Sequence, residues 1–181
     1  MPITITIPNR EFFDQVNNRF FTIKGRNLTF EHSLLSITKW ESRWHKPYLS
    51  KAEKTKEEAI DYLRCMCLDK DVDPKIFMAI DAQSMKEITS YIENPMTATT
   101  FRDDNKKPNR EIITNEIVYY WMTELNIPFE PCQKWHFNRL MTLIRVASIK
   151  KQPPKKMGKK EAASQRMALN AQRRAKYHSN G

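Results

Sequence analysis

A chain of 181 residues, 40% apolar and 10% aromatic, is long enough for one domain with a substantial core and an appendage. Its three glycines, Gly25, Gly158 and Gly181, never cluster, which argues against a phosphate-cradling loop and so against the P-loop and Rossmann classes. The net charge of +10 is uneven: from Lys150 to Gly181 ten Lys or Arg stand against one acid, Glu161, whereas residues 1–149 hold 21 basic and 20 acidic residues.

The N-terminal MPITITIPNRE has no basic n-region, and its short apolar stretch alternates with threonine, so no signal peptide is expected. No apolar run approaches the roughly 18 residues of a membrane helix. Cys65, Cys67 and Cys132 form an odd set, which predicts reduced thiols and a cytoplasmic setting.

In chain order, the Ile/Thr alternation from Ile3 to Ile7 reads as a strand. Phe20 to Ile23 and Asn27 to Phe30 are two more, with Gly25 as the turn of a hairpin between them. Helical spacing begins at Glu31 and runs through Leu34, Ile37, Trp40 or Glu41, and Trp44 until Pro47. Thr55-Lys-Glu-Glu58 is a capping box, and its helix presents Ile60, Leu63 and Cys67. Asp73-Pro74 is a cap followed by proline at the first helical position. Ser84-Met-Lys-Glu87 reads as a second capping box, opening a helix with Met85, Ile88 and Ile92 on one side.

Met96 to Phe101 reads as extended and Arg102 to Arg110 as a polar loop. Thr114 or a residue near it opens a helix through Val118, Trp121, Met122 and Leu125, with Asn126 suited to its end. A last body helix is expected from about Pro131, with Trp135, Leu140, Leu143, Ile144 and Ala147 on its apolar face. Gln152-Pro-Pro154 marks a boundary between a body, residues 1–151, and a basic tail, residues 152–181, that can form one polar helix. The expected fold is mainly α with a small N-terminal β element (α+β): a compact helical domain with a basic C-terminal tail.

Few residues suggest chemistry. Cys65, Cys67, Cys132 and His136 have the ligand types of a zinc site. Their spacing is poor, because residues two apart on a helix point away from each other, and no bound metal or other cofactor is expected. His32 lies near Ser33 and Ser36, but no nucleophile elbow surrounds them, and no catalytic residues are assigned. Trp40-Glu-Ser-Arg-Trp44-His-Lys-Pro-Tyr48 and Trp135-His-Phe-Asn-Arg139 mix aromatic and basic residues, either as core anchors with solvated charges or as contact surfaces. The tail fits a salt-sensitive contact with an acidic protein surface better than a specific DNA site, since it has little aromatic interleaving.

The segments EHSLLSITKWESRWHKPYLS, PMTATTF and EIVYYWMTELNIPFEPCQKWHFNRLMTLIRVASIK resemble a tail assembly chaperone family of tailed bacteriophages and prophages. The resemblance extends to ITIPNREFFD near the start and MALNAQRRAKYHSNG at the end. It implies a non-enzymatic factor that binds phage tail proteins, the tape-measure protein above all and possibly the tube protein, in the host cytoplasm during virion assembly. A structural tail or head–tail joining protein retained in the virion is the alternative within the same gene module. A nucleic-acid-binding protein acting through the basic tail is a third reading. The partner-binding candidates are Trp40, Trp44, Trp121, Trp135 and Arg139 in the body. In the tail they are Lys155, Lys156, Lys159, Lys160, Arg173 and Arg174. The chain departs from the family pattern at Pro131, before Cys132, which bears on where the last body helix starts.

Overall fold

The structure is a computed structural model that describes residues 1–15, 17–101, 111–152 and 159–177, with the side chains of 159–162 excepted. The chain divides into two compact units, Met1–Ile149 and Lys150–Gly181. The division falls in the last turn of a helix that runs to Lys151. The fold is mainly helical with a small antiparallel N-terminal β element, an α+β arrangement.

Strands β1 (Ile3–Ile7) and β4 (Arg26–Phe30) pair antiparallel, Ile5 opposite Leu28. Alternation sorts their faces: Ile5, Ile7, Leu28 and Phe30 are buried, and Thr6 bonds across to Asn27 outside. Between them β2 (Arg10–Asp14) and β3 (Arg19–Ile23) form a separate hairpin. The expected hairpin around Gly25 is therefore corrected, because β3 pairs back to β2, which the sequence reading missed, and β4 pairs with β1. Gly25 serves a close approach instead of a turn. A Cβ there would stand 2.1 Å from the Ile7 carbonyl oxygen, and its N–H donates to Asn9 Oδ1 at 2.7 Å.

Helix α1 (Leu34–Trp44) is capped by Ser33 and ends at His45, whose φ of 51° is left-handed, two residues before Pro47. Helix α2 (Lys56–Met66) has the Thr55–Glu58 capping box, with Thr55 N–H on Glu58 Oε2 at 2.8 Å. Its buried face is Tyr62, Leu63 and Met66, not Ile60, Leu63 and Cys67. Cys67 already lies beyond the helix, where it forms an isolated antiparallel bridge to Phe30 of β4. Asp73 caps a 3₁₀ turn, Pro74–Ala79.

Helix α3 (Ala82–Glu93) begins earlier than the second capping box implied. Asp81 is the cap and accepts from the Ser84 N–H at 2.7 Å, so Ser84 and Glu87 lie inside the helix. Ile88 and Tyr91 are buried, and Met85 is exposed. Met96 to Phe101 contains no strand and bends at Thr97 and Ala98, and the loop expected at 102–110 lies outside the described residues.

Helix α4 (Asn115–Glu124) follows Thr114, and Asn126 takes a left-handed φ of 54° just past its end. The expected helix from Pro131 is two pieces, a single turn α5 (Phe129–Cys132) and then α6 (Phe137–Lys151). Trp135 and His136 lie between them, so Cys132 and His136 are not one helical turn apart. The cause is a tertiary pairing: Ser33 and His136 form an antiparallel bridge, and the Phe137 N–H donates to the His32 carbonyl at 2.8 Å. The body core gathers Leu28, Phe30, Leu34, Ile37, Trp40, Met66, Ile88, Val118, Met122 and Leu140, all 0–1% exposed.

The second unit holds α7 (Lys159–Tyr177). Every described side chain on it is exposed. No described helix is long and apolar enough to cross a membrane.

Candidate partner-binding site

The four tryptophans occupy different environments. Trp40 is 1% exposed, with its indole N–H donating to the Glu58 carbonyl at 2.9 Å, so it is a core side chain with no surface to offer a partner. Trp44, one turn on, is half-buried; its N–H donates to Asp61 Oδ2 at 3.0 Å and its ring stacks on Trp40 at 6.2 Å. Lys46 Nζ lies 5.9 Å from the Trp44 ring centre and 2.5 Å from Glu58 Oε1, and Arg43 pairs with Asp61 at 2.7 Å. That contact with Lys46, with the Thr55 amide, holds the Glu58 carboxyl below its usual range. Arg43 and Lys46 are thus tied to α2, and both α1 tryptophans brace that contact.

Trp121 is half-buried on α4, and Trp135 half-buried in the α5–α6 link. Exposed Arg139 lays its guanidinium 4.3 Å from the Trp135 ring centre, a cation–π pair open to solvent on one side. Nearby in sequence, Phe129 and Tyr120 are 46% and 60% exposed, and Phe129 meets Tyr119 edge to face at 5.2 Å. Of the tail candidates, Arg173 and Arg174 are exposed on α7. Lys159 and Lys160 lie in its first turn, with their side chains outside the description, as are Lys155 and Lys156 altogether.

Two features escaped the sequence reading. One is an outward aromatic pair on the β2–β3 hairpin: Phe13 and Phe20 sit opposite each other with ring centres 4.9 Å apart, 47% and 68% exposed. On the other face Phe12 and Phe21 stack at 5.7 Å and pack against the core. The hairpin tip is tied by Asp14, whose carboxylate accepts from the Asn17 amide and side chain. The signal was present as the doublets Phe12-Phe13 and Phe20-Phe21, each of which must put one ring on each face of a strand.

The other is a closed polar centre where β4, α2, α3 and the α6 start meet. His32 and His136, 3% and 1% exposed, have ring centres 5.1 Å apart. His32 Nδ1 lies 2.5 Å from the Tyr62 hydroxyl. His136 Nε2 donates to the Tyr91 carbonyl at 3.0 Å, while its Nδ1 accepts from the Asn138 N–H, which assigns a neutral Nε2–H tautomer. Burial, and then the neighbouring His136, push His32 down to about 3, and burial lowers His136 too. Ser36 spends its hydroxyl proton on the Ser33 carbonyl at 2.8 Å. The arrangement ties the end of β4 to α2, to α3 and to the start of α6.

Glu41 makes a similar junction. Its carboxylate accepts from the Asn115 amide and side chain at 2.8 and 2.6 Å and from the Tyr48 N–H at 2.7 Å, capping α4 from α1. The cysteines stay apart in role. Burial raises the Cys65 thiol to about 11, and Cys67 Sγ contacts Asp69 at 3.9 Å. Among the described residues no group of three or more His, Cys, Asp or Glu is placed to hold a metal ion. Compared with protein-family models, with curated proteins and with solved structures, the chain matches none.

Proposed function

We propose that the protein is a non-catalytic binding factor for other proteins of phage tail assembly, a chaperone of the tape-measure protein in the form that the sequence resemblance implies. The observation that carries a binding role is the Phe13–Phe20 pair. Its two rings partly shield each other but remain 47% and 68% exposed on a hairpin braced from behind. An apolar pair exposed at that level is worth burying against a partner, at about 25 cal/mol for each Å² removed from water. The tape-measure protein, as a long apolar helix, offers such a face, and Trp135 with Arg139 gives a second aromatic contact that tolerates exchange. The closed histidine centre supports the non-catalytic side of the reading, since its groups serve the fold.

Co-expression with the tape-measure protein tests this. The wild-type chain should keep that protein soluble and co-purify with it. Phe13→Ser with Phe20→Ser should cut recovery at least about tenfold while the thermal midpoint of the chain stays close to wild type, both positions being exposed. Undiminished capture by the double variant would remove the hairpin from the reading. Abundant copies in purified mature virions would replace the chaperone with a structural tail component.

A further inference from the structure

We propose that α7 is a docking helix for duplex DNA, held through the phosphate backbone and without sequence preference. Between Ala163 and Tyr177 every side chain is exposed, and this stretch carries Arg166, Arg173, Arg174 and Lys176 with no acid. At about 100° per residue, Arg166, Asn170, Arg173, Arg174 and Tyr177 fall within one sector roughly 100° wide, running roughly 16 Å along the axis. The opposite side carries Ser164, Ala168, Ala171 and Ala175, which keep the helix slim.

Charge makes the partner anionic, and the distribution of apolar side chains decides its class. A helix that docks in a protein groove presents apolar anchors three, four and seven residues apart. Met167 and Leu169, 75% and 51% exposed, project about 160° from each other and cannot enter one groove. An acidic protein patch would then offer only exposed, solvent-screened ion pairs, each contributing little. A phosphate array adds the release of condensed counterions for every cation that docks.

Tyr177 is the one aromatic on the helix, so successive bases of a single strand have no platform to stack on. The major groove of B-form DNA, about 12 Å wide, admits a helix, whereas that of A-form RNA is deep and narrow. Contacts to phosphates carry no sequence information. This inference is independent of the tail-assembly reading, because it involves none of the body residues on which that reading rests.

Fluorescence anisotropy of the full chain with a short duplex of random sequence, titrated between 50 and 200 mM salt, tests it. Affinity should fall steeply with salt. Arg166→Gln, Arg173→Gln and Arg174→Gln together should weaken binding at least about tenfold at the lowest salt and flatten the log–log slope by about 2–3, at roughly 0.9 per phosphate. Arg and Gln have nearly equal helix propensity, so far-ultraviolet circular dichroism should not change. Replacing the same three residues with Lys should keep the slope. The proposal is overturned if the wild-type chain does not bind, or if the Gln variant binds as wild type does. It is equally overturned if poly-glutamate of matched charge competes as well as DNA, which would assign α7 to an acidic protein, or if a sequence preference survives competitor DNA.

Discussion

Helix α6 buries Phe137, Leu140 and Ile144 against the body, while α7, four residues longer, leaves every described side chain in water. Both are helical for different reasons. The sequence of α6 includes the β-branched Thr142, Ile144, Val146 and Ile149, modest helix formers, and tertiary packing supplies what propensity lacks. In α7 alanine, lysine, arginine and glutamine dominate, residues that favour a helix with little help. Stability in the body is therefore a property of contacts between distant segments, whereas in the tail it is local.

The largest expected effect lies on the packed side of that contrast. Leu140→Ala removes a side chain that is 0% exposed and should destabilise the body by about 3–4 kcal/mol, read as a shift of the denaturant midpoint. Met167→Ala on α7 should move it by less than about 0.5 kcal/mol. Equal shifts would show that α7 packs on the body.

Acid should separate the two regions next. The folded body holds His32 and His136 neutral, both below their ordinary value of 6.5, whereas the unfolded chain protonates them from there downwards. The His32 contribution is present above pH 6.5 and is lost as pH falls from there towards about 3, at roughly 1.4 kcal/mol per pH unit for a fully shielded imidazole, and that of His136 is lost in the same direction. Chemical denaturation at pH 7.0 and 5.5 should show the loss. His136→Gln, which keeps a donor for the Tyr91 carbonyl, should lessen it. A body equally stable at both pH values would contradict the closed centre. Residues 163–177 contain no histidine, so helicity in α7 should ignore this step.

Truncation should have the smallest effect. A chain ending at Lys151 should keep the thermal midpoint within about 2 °C, and a larger drop would assign α7 a packing role.

How far the sequence could be read follows the same division. The Thr55–Glu58 and Asp73–Pro74 caps, the Ile3–Ile7 alternation, the Thr114 helix start and the left-handed Asn126 were all legible, because each depends on residues within a few positions of one another. The Ser84 capping box failed at the same scale, since Asp81, three residues earlier, competed for the same helix start. The burial of Trp40 and the pairing of Trp135 with Arg139 were only half legible, since a tryptophan at helical spacing fits both core and surface.

The sequence by itself determined the mainly helical class and the concentration of positive charge towards the C-terminus. Composition and short-range pattern are enough for those. Tertiary structure alone decided that β1 pairs with β4, that α6 starts at Phe137, that His32 meets His136 and that Glu41 caps a helix 74 residues away. It also chose which phenylalanine of each doublet faces water. The free energy of these choices comes from burial shared between segments far apart in the chain, and a local pattern with two possible faces carries no record of which face its distant neighbour will cover.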